Sequence, residues 1–298
     1  MKITPGILAK PLALFSVCML IFFSCKKDNN SSQNTTDTTG DSALSMSTSA
    51  AFSDNLYNDV YDVLGQTGSN NAFLAGRVAV NGRVDGADSV PGCTTITVTP
   101  ADINTYPKTV VVDFGTGCTG WYGVTRSGSI TYTLSGKFKN PGSTATAVFN
   151  NYKVNGYKLE GSYYVKNNSS IGAGGVIVLF NSSVTDGKVT YPNGTTWYTY
   201  SGTKAIQQTA GIGSTNYNDY VFAITGAHSY ASFTGKTLTD SVTTALVKQV
   251  SCKNISAGVV AFTYNGTIKG TLDYGAGTCD SIATITIGSV TKTIGLPR

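Results

Sequence analysis

The chain has 298 residues, a length that suits one large all-β domain or two small ones. Charged residues make up 12% of it, and the net charge of +5 is spread without a basic block, which argues against nucleic-acid binding. His228 is the only histidine. The sequence therefore excludes a metal site with several histidines and a relay that needs two of them.

Residues 1–24 have the features of a secretory signal peptide. Lysines at the start are followed by an apolar run, Pro11 to Phe23, that is too short for a comfortable bilayer span. The run ends at Ser24 and Cys25 in a pattern that resembles a bacterial lipobox. The resemblance implies cleavage before Cys25 and a diacylglycerol on its sulfur, so we expect a membrane partner. The alternative is an ordinary signal peptide with an incidental cysteine.

Two segments are predicted between the signal and the strands. Residues 25–49 are mostly Asn, Ser, Thr, Gln and Asp, and this composition predicts a flexible tether. Residues 50–66 carry Phe52, Leu56 and Val60 at helical spacing, which predicts an amphipathic helix whose apolar stripe packs on the β domain. The aspartates of this segment fall off that stripe: Asp54, Asp59 and Asp62.

Residues 67–298 are predicted to form short strands joined by tight turns. Asn155-Gly156 between two alternating runs is the clearest hairpin signal, and Asp186-Gly187 predicts a further turn. Residues 176–180 are apolar at every position, which predicts a central strand or the one that the helix covers. We therefore predict an all-β fold with one short N-terminal helix. Its antiparallel meander would pack as a sandwich or an open barrel, in one unit or two halves.

An Asp-aromatic-Gly-x-Gly motif followed by a cysteine occurs twice, starting at Asp113 and at Asp273. Four cysteines remain after processing besides Cys25, and four allow three pairings. The repeated arrangement favours two local disulfides, Cys93–Cys118 and Cys252–Cys279. A zinc site made of all four cysteines is the alternative, but the close cysteine pairs of zinc fingers do not occur.

The same motifs contain acidic side chains that could bind calcium. Asp113, or Asp273 with Asp280, would supply oxygen ligands together with carbonyl groups exposed by the glycines. We favour the alternative, a turn in which Asp accepts local hydrogen bonds and Gly adopts a positive φ. No metal or other cofactor is predicted.

Aromatic residues beside Asn, Thr and Asp suggest a sugar-binding surface. Aromatic rings stack on the apolar faces of pyranoses while amides and carboxylates bind the hydroxyl groups. The alternative is that these residues pack across neighbouring strands. The candidate ligand-binding residues are Trp121, Tyr122, Arg126, Tyr191, Trp197, Tyr198 and Tyr200.

The lipobox, the tether, the helix and the cysteine-framed strands together resemble a family of secreted lipoproteins of the Bacteroidota. The motifs that carry the resemblance lie at 113–118, 149–156 and 272–280. The resemblance implies the outer-membrane anchor and the β fold, and it implies no activity. Members usually have Asp where Ala276 stands, which weakens the calcium interpretation. In this group a charged stretch after the lipidated cysteine directs export to the cell surface. Residues 26–28 contain only one acid, Asp28, where such signals are usually richer in acids, so the cell surface is only slightly favoured over the periplasmic face.

Ser42 lies in an Asp-Ser-Ala sequence that resembles the O-glycosylation motif of the same group, and it is the most accessible candidate. No Gly-x-Ser-x-Gly or His-Glu-x-x-His motif occurs, and His228 is expected on an exposed strand face. The sequence therefore predicts a non-enzymatic protein that binds a glycan or an envelope protein. The alternatives are a structural component of an envelope complex and an aspartate-dependent hydrolase.

Overall fold

The computed structural model describes residues 34–70, 93–120, 123–172 and 175–296. These residues form one α-helix, α1 (Asn34–Asn70), one turn of 3-10 helix (Tyr217–Asp219) and sixteen strands. The strands are β1 (Thr95–Thr99), β2 (Lys108–Asp113), β3 (Cys118–Thr119), β4 (Thr125–Leu134), β5 (Thr144–Val154), β6 (Tyr157–Asn167), β7 (Ser170–Gly172), β8 (Gly175–Ile177), β9 (Leu179–Thr190), β10 (Trp197–Ala210), β11 (Val221–Ser232), β12 (Thr237–Gln249), β13 (Ala257–Tyr264), β14 (Ile268–Ala276), β15 (Ile282–Ile287) and β16 (Val290–Gly295).

Fourteen of the strands form one antiparallel sheet. Its order follows the chain from β1 to β16, except that β3 pairs only with β4, and that β7 and β8 form a separate hairpin between β6 and β9. The predicted all-β meander with one N-terminal helix is confirmed. One continuous sheet carries one hydrophobic core, so the sheet rolls around its contents instead of stacking on a second sheet.

Helix α1 fills the interior of the rolled sheet. No side chain from Met46 to Gly68 is exposed, and eight consecutive residues from Asp54 to Tyr61 are buried. Strands contact the helix from several directions: Tyr132 of β4 donates a hydrogen bond to the carbonyl of Val60 at 2.9 Å. Because a helix presents side chains all round its axis, burial at every position requires strands on all sides.

The predictions for residues 25–49 and 50–66 are wrong in two respects. The helix extends from Asn34 to Asn70, so at least residues 34–49 of the predicted tether are helical, and Ala43, Leu44 and Met46 are buried in the core. The helix is also not amphipathic, since Asp54 and Asp59 are buried as well. Asp54 and Asp59 do not form a solvated face, because the groups that pair with them come from strands far away in sequence.

Serine and threonine are accommodated in α1 by local hydrogen bonds. Ser47 donates to the carbonyl of Ala43 at 2.7 Å, and Ser53 donates to the carbonyl of Ser49 at 2.9 Å. These bonds satisfy hydroxyl groups that would otherwise be buried without a partner. The small Ala and Ser side chains in this part of α1 also leave room for the surrounding strands. Tertiary burial therefore outweighs the modest helix propensity of the sequence.

The local turn signals gave mixed results. Asn155 and Gly156 form the tight turn between β5 and β6 with φ of 47° and 85°, so the predicted hairpin is confirmed. The predicted turn at Asp186-Gly187 is wrong, because both residues lie inside β9. Asp186 has φ 52°, and the pairing of β9 with β10 shifts register between Tyr200 and Gly202. Residues 176–180 are not one central strand either, because β8 ends at Ile177 and only Phe180 is buried.

Both predicted disulfides are confirmed. Cys93 and Cys118 have Cα atoms 5.6 Å apart and connect the segment before β1 to β3. Cys252 and Cys279 have Cα atoms 5.3 Å apart and connect the turns that follow β12 and β14. Each bridge closes a short loop of the meander, which restricts the unfolded chain locally.

Candidate functional site

The helix is joined to the sheet by a buried ion pair. Asp59 of α1 accepts hydrogen bonds from Arg126 Nε at 2.9 Å and Nη2 at 2.5 Å, and from Tyr152 Oη at 2.7 Å. The side chains of Arg126 and Asp59 are 2% and 0% exposed. Burial alone would lower the pKa of Arg126, but the Asp59 carboxylate and its other polar neighbours outweigh it and raise that pKa. This geometry stabilises the fold and leaves the guanidinium group inaccessible.

A second buried cluster surrounds Asp54 of α1. Its Oδ1 lies 2.6 Å from Lys204 Nζ, accepts a hydrogen bond from Tyr200 at 2.9 Å, and lies 3.6 Å from His228 Nε2. On its other side, the His228 ring places Nδ1 2.7 Å from Asp240 Oδ1. Burial would raise the pKa of Asp54, but the charges of Lys204 and His228 and the hydrogen bonds outweigh it, so the pKa lies below 3.8.

The His228–Asp240 pair has the composition of an acid–base site but lacks access. The cavity beside it measures about 20 Å³ and is enclosed by α1 and the inner faces of β11–β14. Such a volume accommodates about one water molecule. The expectation that His228 is exposed is wrong, since the residue is 5% exposed. In this conformation the pair cannot contact a substrate.

Two predicted ligand-binding residues are buried in these clusters. Arg126 pairs with Asp59, as described, and Tyr200 is 2% exposed. The Tyr200 ring stacks on Tyr57 of α1 at 4.7 Å, and its hydroxyl binds Asp54. Both residues were assigned to the wrong face of their strand, because the helix that binds them lies far away in sequence. They support the fold and cannot contact a ligand at the surface.

The other predicted aromatic residues of this region lie in the connection between β9 and β10 and at the start of β10. Tyr191 donates a hydrogen bond to Ser49 Oγ at 3.2 Å and contacts Tyr198 at 5.6 Å between ring centroids. Trp197 is half-buried, with Lys188 Nζ 4.9 Å from its ring centroid. The aromatic residues of the predicted sugar-binding hairpin therefore do not share one exposed face.

Several predictions concern residues of which the structure says little. Cys25, Trp121 and Tyr122 lie outside the described residues. Ser42 lies in α1 with an exposed side chain. Its proposed glycosylation stays a prediction.

The three calcium candidates act as acceptors of local backbone hydrogen bonds. Asp113 accepts from the backbone amide of Gly115 at 2.8 Å, Asp273 accepts from that of Gly275 at 2.8 Å, and Asp280 accepts from that of Ile282 at 3.1 Å. Gly115 has φ 59° and Gly275 has φ 86°. The favoured interpretation, with Asp as a local hydrogen-bond acceptor and Gly at positive φ, is confirmed, although Asp273 and Gly275 lie within β14 instead of in a turn. Among the described residues, no group of three His, Cys, Asp or Glu side chains is arranged to hold a metal ion.

A large cavity opens where α1 ends. It has a volume of about 460 Å³, within the range of small-molecule sites. Leu64, Gly65 and Gly68 of α1 form one wall, and the ends of β6, β9, β10 and β11 with their loops form the others. At Gly65 a β-carbon would lie 2.2 Å from Tyr217 Oη, so only glycine lets the Tyr217 ring approach the helix here.

The inner walls of this cavity are aromatic. Phe180 stacks on Phe138 at 5.1 Å and contacts the edge of Tyr61 at 5.9 Å, and Tyr61 contacts Phe222 at 5.8 Å. All four rings line the cavity. Burial raises the pKa of Tyr61 well above its ordinary value, so its hydroxyl is neutral at physiological pH. The walls therefore offer an uncharged, apolar environment.

Exposed apolar side chains surround the mouth of the cavity. The hairpin β7–β8 carries Ile171 and Val176 there, which are 86% and 51% exposed. Ile212, in the loop after β10 next to lining residue Gly213, is 48% exposed. Large apolar residues clustered beside an apolar cavity are typical of a ligand-binding site, whereas single exposed ones are common on any protein.

The sequence does not predict this cavity. Its lining residues come from α1 and from loops near 138, 170, 176 and 214, which are far apart in the chain. The one signal that could have indicated it is the apolar stretch 176–180 next to the Gly-rich segment 172–175. An apolar stretch that directly follows several glycines suits a hairpin beside an apolar surface better than a central strand.

No family model, no curated protein and no solved structure matches this chain. Within the described residues, no helix is both long and apolar enough to cross a membrane.

Proposed function

We propose that this protein is a non-enzymatic, lipid-anchored binding protein of the outer membrane whose ligand is an apolar small molecule held in the cavity at the end of α1. The observation that carries the proposal is the aromatic cavity of about 460 Å³, which is open to solvent and bordered by exposed apolar residues. The buried clusters around Asp54 and Asp59 support it, because they fix the helix that forms one wall.

Binding would be driven by removal of apolar surface from water. Each methylene group buried contributes about 0.8 kcal/mol, which corresponds to roughly a fourfold gain in affinity. Calorimetric titration of the purified protein with octanol, decanol and dodecanol tests this directly. We expect the affinity to rise about fourfold for each methylene group that is added along the series, until the cavity is filled.

Matched variants locate the binding. Val178 lines the cavity, and Val178→Trp fills part of it, so the affinity for dodecanol should fall at least tenfold. Val148 is 50% exposed on β5 away from the cavity, so Val148→Trp adds the same side chain without this effect. Ser170→Trp at the exposed mouth provides a second blocking variant if Val178→Trp does not fold. Wild-type protein that binds none of the alcohols would refute the proposal.

The anchor is a separate part of the proposal with its own test. The residues from Asn34 to Gly65 span about 47 Å along an α-helix, and the segment that follows Cys25 joins α1 at the end away from the cavity. Labelling of cells with a palmitate analogue should mark the wild-type protein and leave Cys25→Ser unmarked. Protease treatment of intact cells, with a periplasmic control protein, then distinguishes the cell surface from the periplasmic face.

A sugar site is a second candidate function, favoured by one observation. Trp197 and Phe233 have ring centroids 6.4 Å apart, and Phe233 is 48% exposed. Two neighbouring rings can form a stacking platform for a pyranose. A glycan array should then show binding that is lost in Trp197→Ala and retained in Val178→Trp. A stoichiometric protein partner without any small ligand would instead support the structural role.

A further inference from the structure

The charge at the cavity mouth indicates what kind of head group the ligand carries. Among the described residues that line the cavity, Lys139 is the only charged one, and no acidic residue is present. Lys139 is exposed and lies directly after Phe138, whose ring belongs to the aromatic wall. Within the described part of the chain it makes no ion pair. A cation therefore stands next to an apolar interior.

Three of the other polar side chains that line the cavity are already engaged by the protein. Asn167 donates to the carbonyl of Phe138 at 2.9 Å and accepts from the amide of Ser169 at 2.8 Å. Gln208 donates to the carbonyl of Ala210 at 3.0 Å, and Ser214 donates to Asp219 at 2.6 Å. Asp219 is thus held in its own loop. The ammonium group of Lys139 is the cation left to meet a ligand.

From these two observations we propose that the ligand is an anionic amphiphile, with its apolar tail in the cavity and its carboxylate or other anionic head at Lys139. This inference rests on the proposed function and specifies its ligand class. The exposed residues Ile171 and Val176 border the path by which such a tail would enter. A head group at the mouth stays partly hydrated, so its charge is not buried at high cost.

The size of the effect follows from the exposure of Lys139. A solvent-exposed ion pair contributes up to about 1 kcal/mol, so wild-type protein should bind dodecanoate roughly fivefold more tightly than dodecanol at low salt. This preference should shrink as ionic strength rises, because salt screens exposed charges. Dodecyltrimethylammonium, with the same tail and a cationic head, should bind more weakly than the alcohol.

The experiment is a calorimetric titration of each variant with the three ligands, with the two ionic ones below their micelle concentrations and dodecanol below its solubility limit. Lys139→Gln should bind dodecanoate and dodecanol equally well, and Lys139→Glu should prefer the cationic ligand. Lys166→Gln is the matched control: it removes the same charge from an exposed position on β6 that does not line the cavity. It should retain the preference of the wild-type protein.

The outcomes separate the two proposals. If dodecanol binds as tightly as dodecanoate, or if Lys139→Gln retains the preference for dodecanoate, the anionic head group is overturned while the apolar cavity site stands. If none of the three ligands binds, both proposals are overturned. A preference lost equally in Lys139→Gln and Lys166→Gln would show a general charge effect and would also overturn the assignment to Lys139.

Discussion

Replacing Asp59 tests how α1 is held inside the sheet. In Asp59→Asn the Arg126 guanidinium group stays buried, at 2% exposure, but loses the carboxylate that accepts two of its hydrogen bonds. Leaving one member of a buried pair without its counter-charge costs about 3–5 kcal/mol, a large part of the total stability of a typical protein. We therefore expect the midpoint of urea unfolding, followed by circular dichroism, to fall by about 1 M or more.

A double variant and an exposed pair provide the controls. Arg126→Met should cost a similar amount alone, and the double variant Asp59→Asn/Arg126→Met should be no less stable than either single one. Lys158 Nζ and Glu160 Oε1 lie 2.9 Å apart, and the two side chains are 35% and 38% exposed. Glu160→Gln should therefore lower the free energy of unfolding by at most about 1 kcal/mol. If Asp59→Asn loses less than 1 kcal/mol, or if the two single costs simply add, the assignment of the pair is refuted.

Three further predictions follow from other contacts. Cys252→Ser/Cys279→Ser opens a loop with a sequence separation of 27, which costs about 3.5 kcal/mol in the chain-entropy model; an unchanged urea midpoint would contradict it. The pKa of Asp54 lies below 3.8, so the stability that this carboxylate contributes is complete above about pH 4 and is lost as the pH falls through its folded-state pKa. Thermal melts between neutral and acidic pH should show this decline, and a melting temperature independent of pH there would count against it. Gly128 has φ 71°, and a β-carbon there would lie 2.3 Å from the carbonyl oxygen of Asn151, so Gly128→Ala should cost more than 1 kcal/mol. A melting temperature equal to that of the wild type would refute this strain.

The features that the sequence predicted correctly are local ones. The turn at Asn155-Gly156 depends on backbone conformations that these two residues adopt readily, whatever surrounds them. The disulfides were found because the same motif precedes Cys118 and Cys279. The aspartates of these motifs, such as Asp113, accept hydrogen bonds from residues two positions later, which is again a local property.

The features that were missed depend on distant partners. Arg126 and Asp59 are 67 residues apart, so nothing near Arg126 in sequence indicates that it is buried. The sequence predicts too short a helix because the Ser- and Thr-rich first half of α1 has low helix propensity and is buried in part by strands that lie far away in sequence. The cavity combines Leu64, Phe138 and Phe222 from separate parts of the chain, and no periodicity connects them.

The enclosure of α1 by strands also determines the order in which the molecule can fold. The helix is synthesised early, yet Asn55 pairs with Asn254, which is 199 residues later in the chain. Contacts of α1 with β4 and β5 can form first, but its packing is complete only when the last strands have formed. Contacts of such large separation slow folding and lengthen the time during which apolar surface is exposed. We expect the Asp, Asn and Ser residues of this segment to keep it hydrated during that interval, so that polar side chains of the finished core also limit aggregation of the unfinished chain.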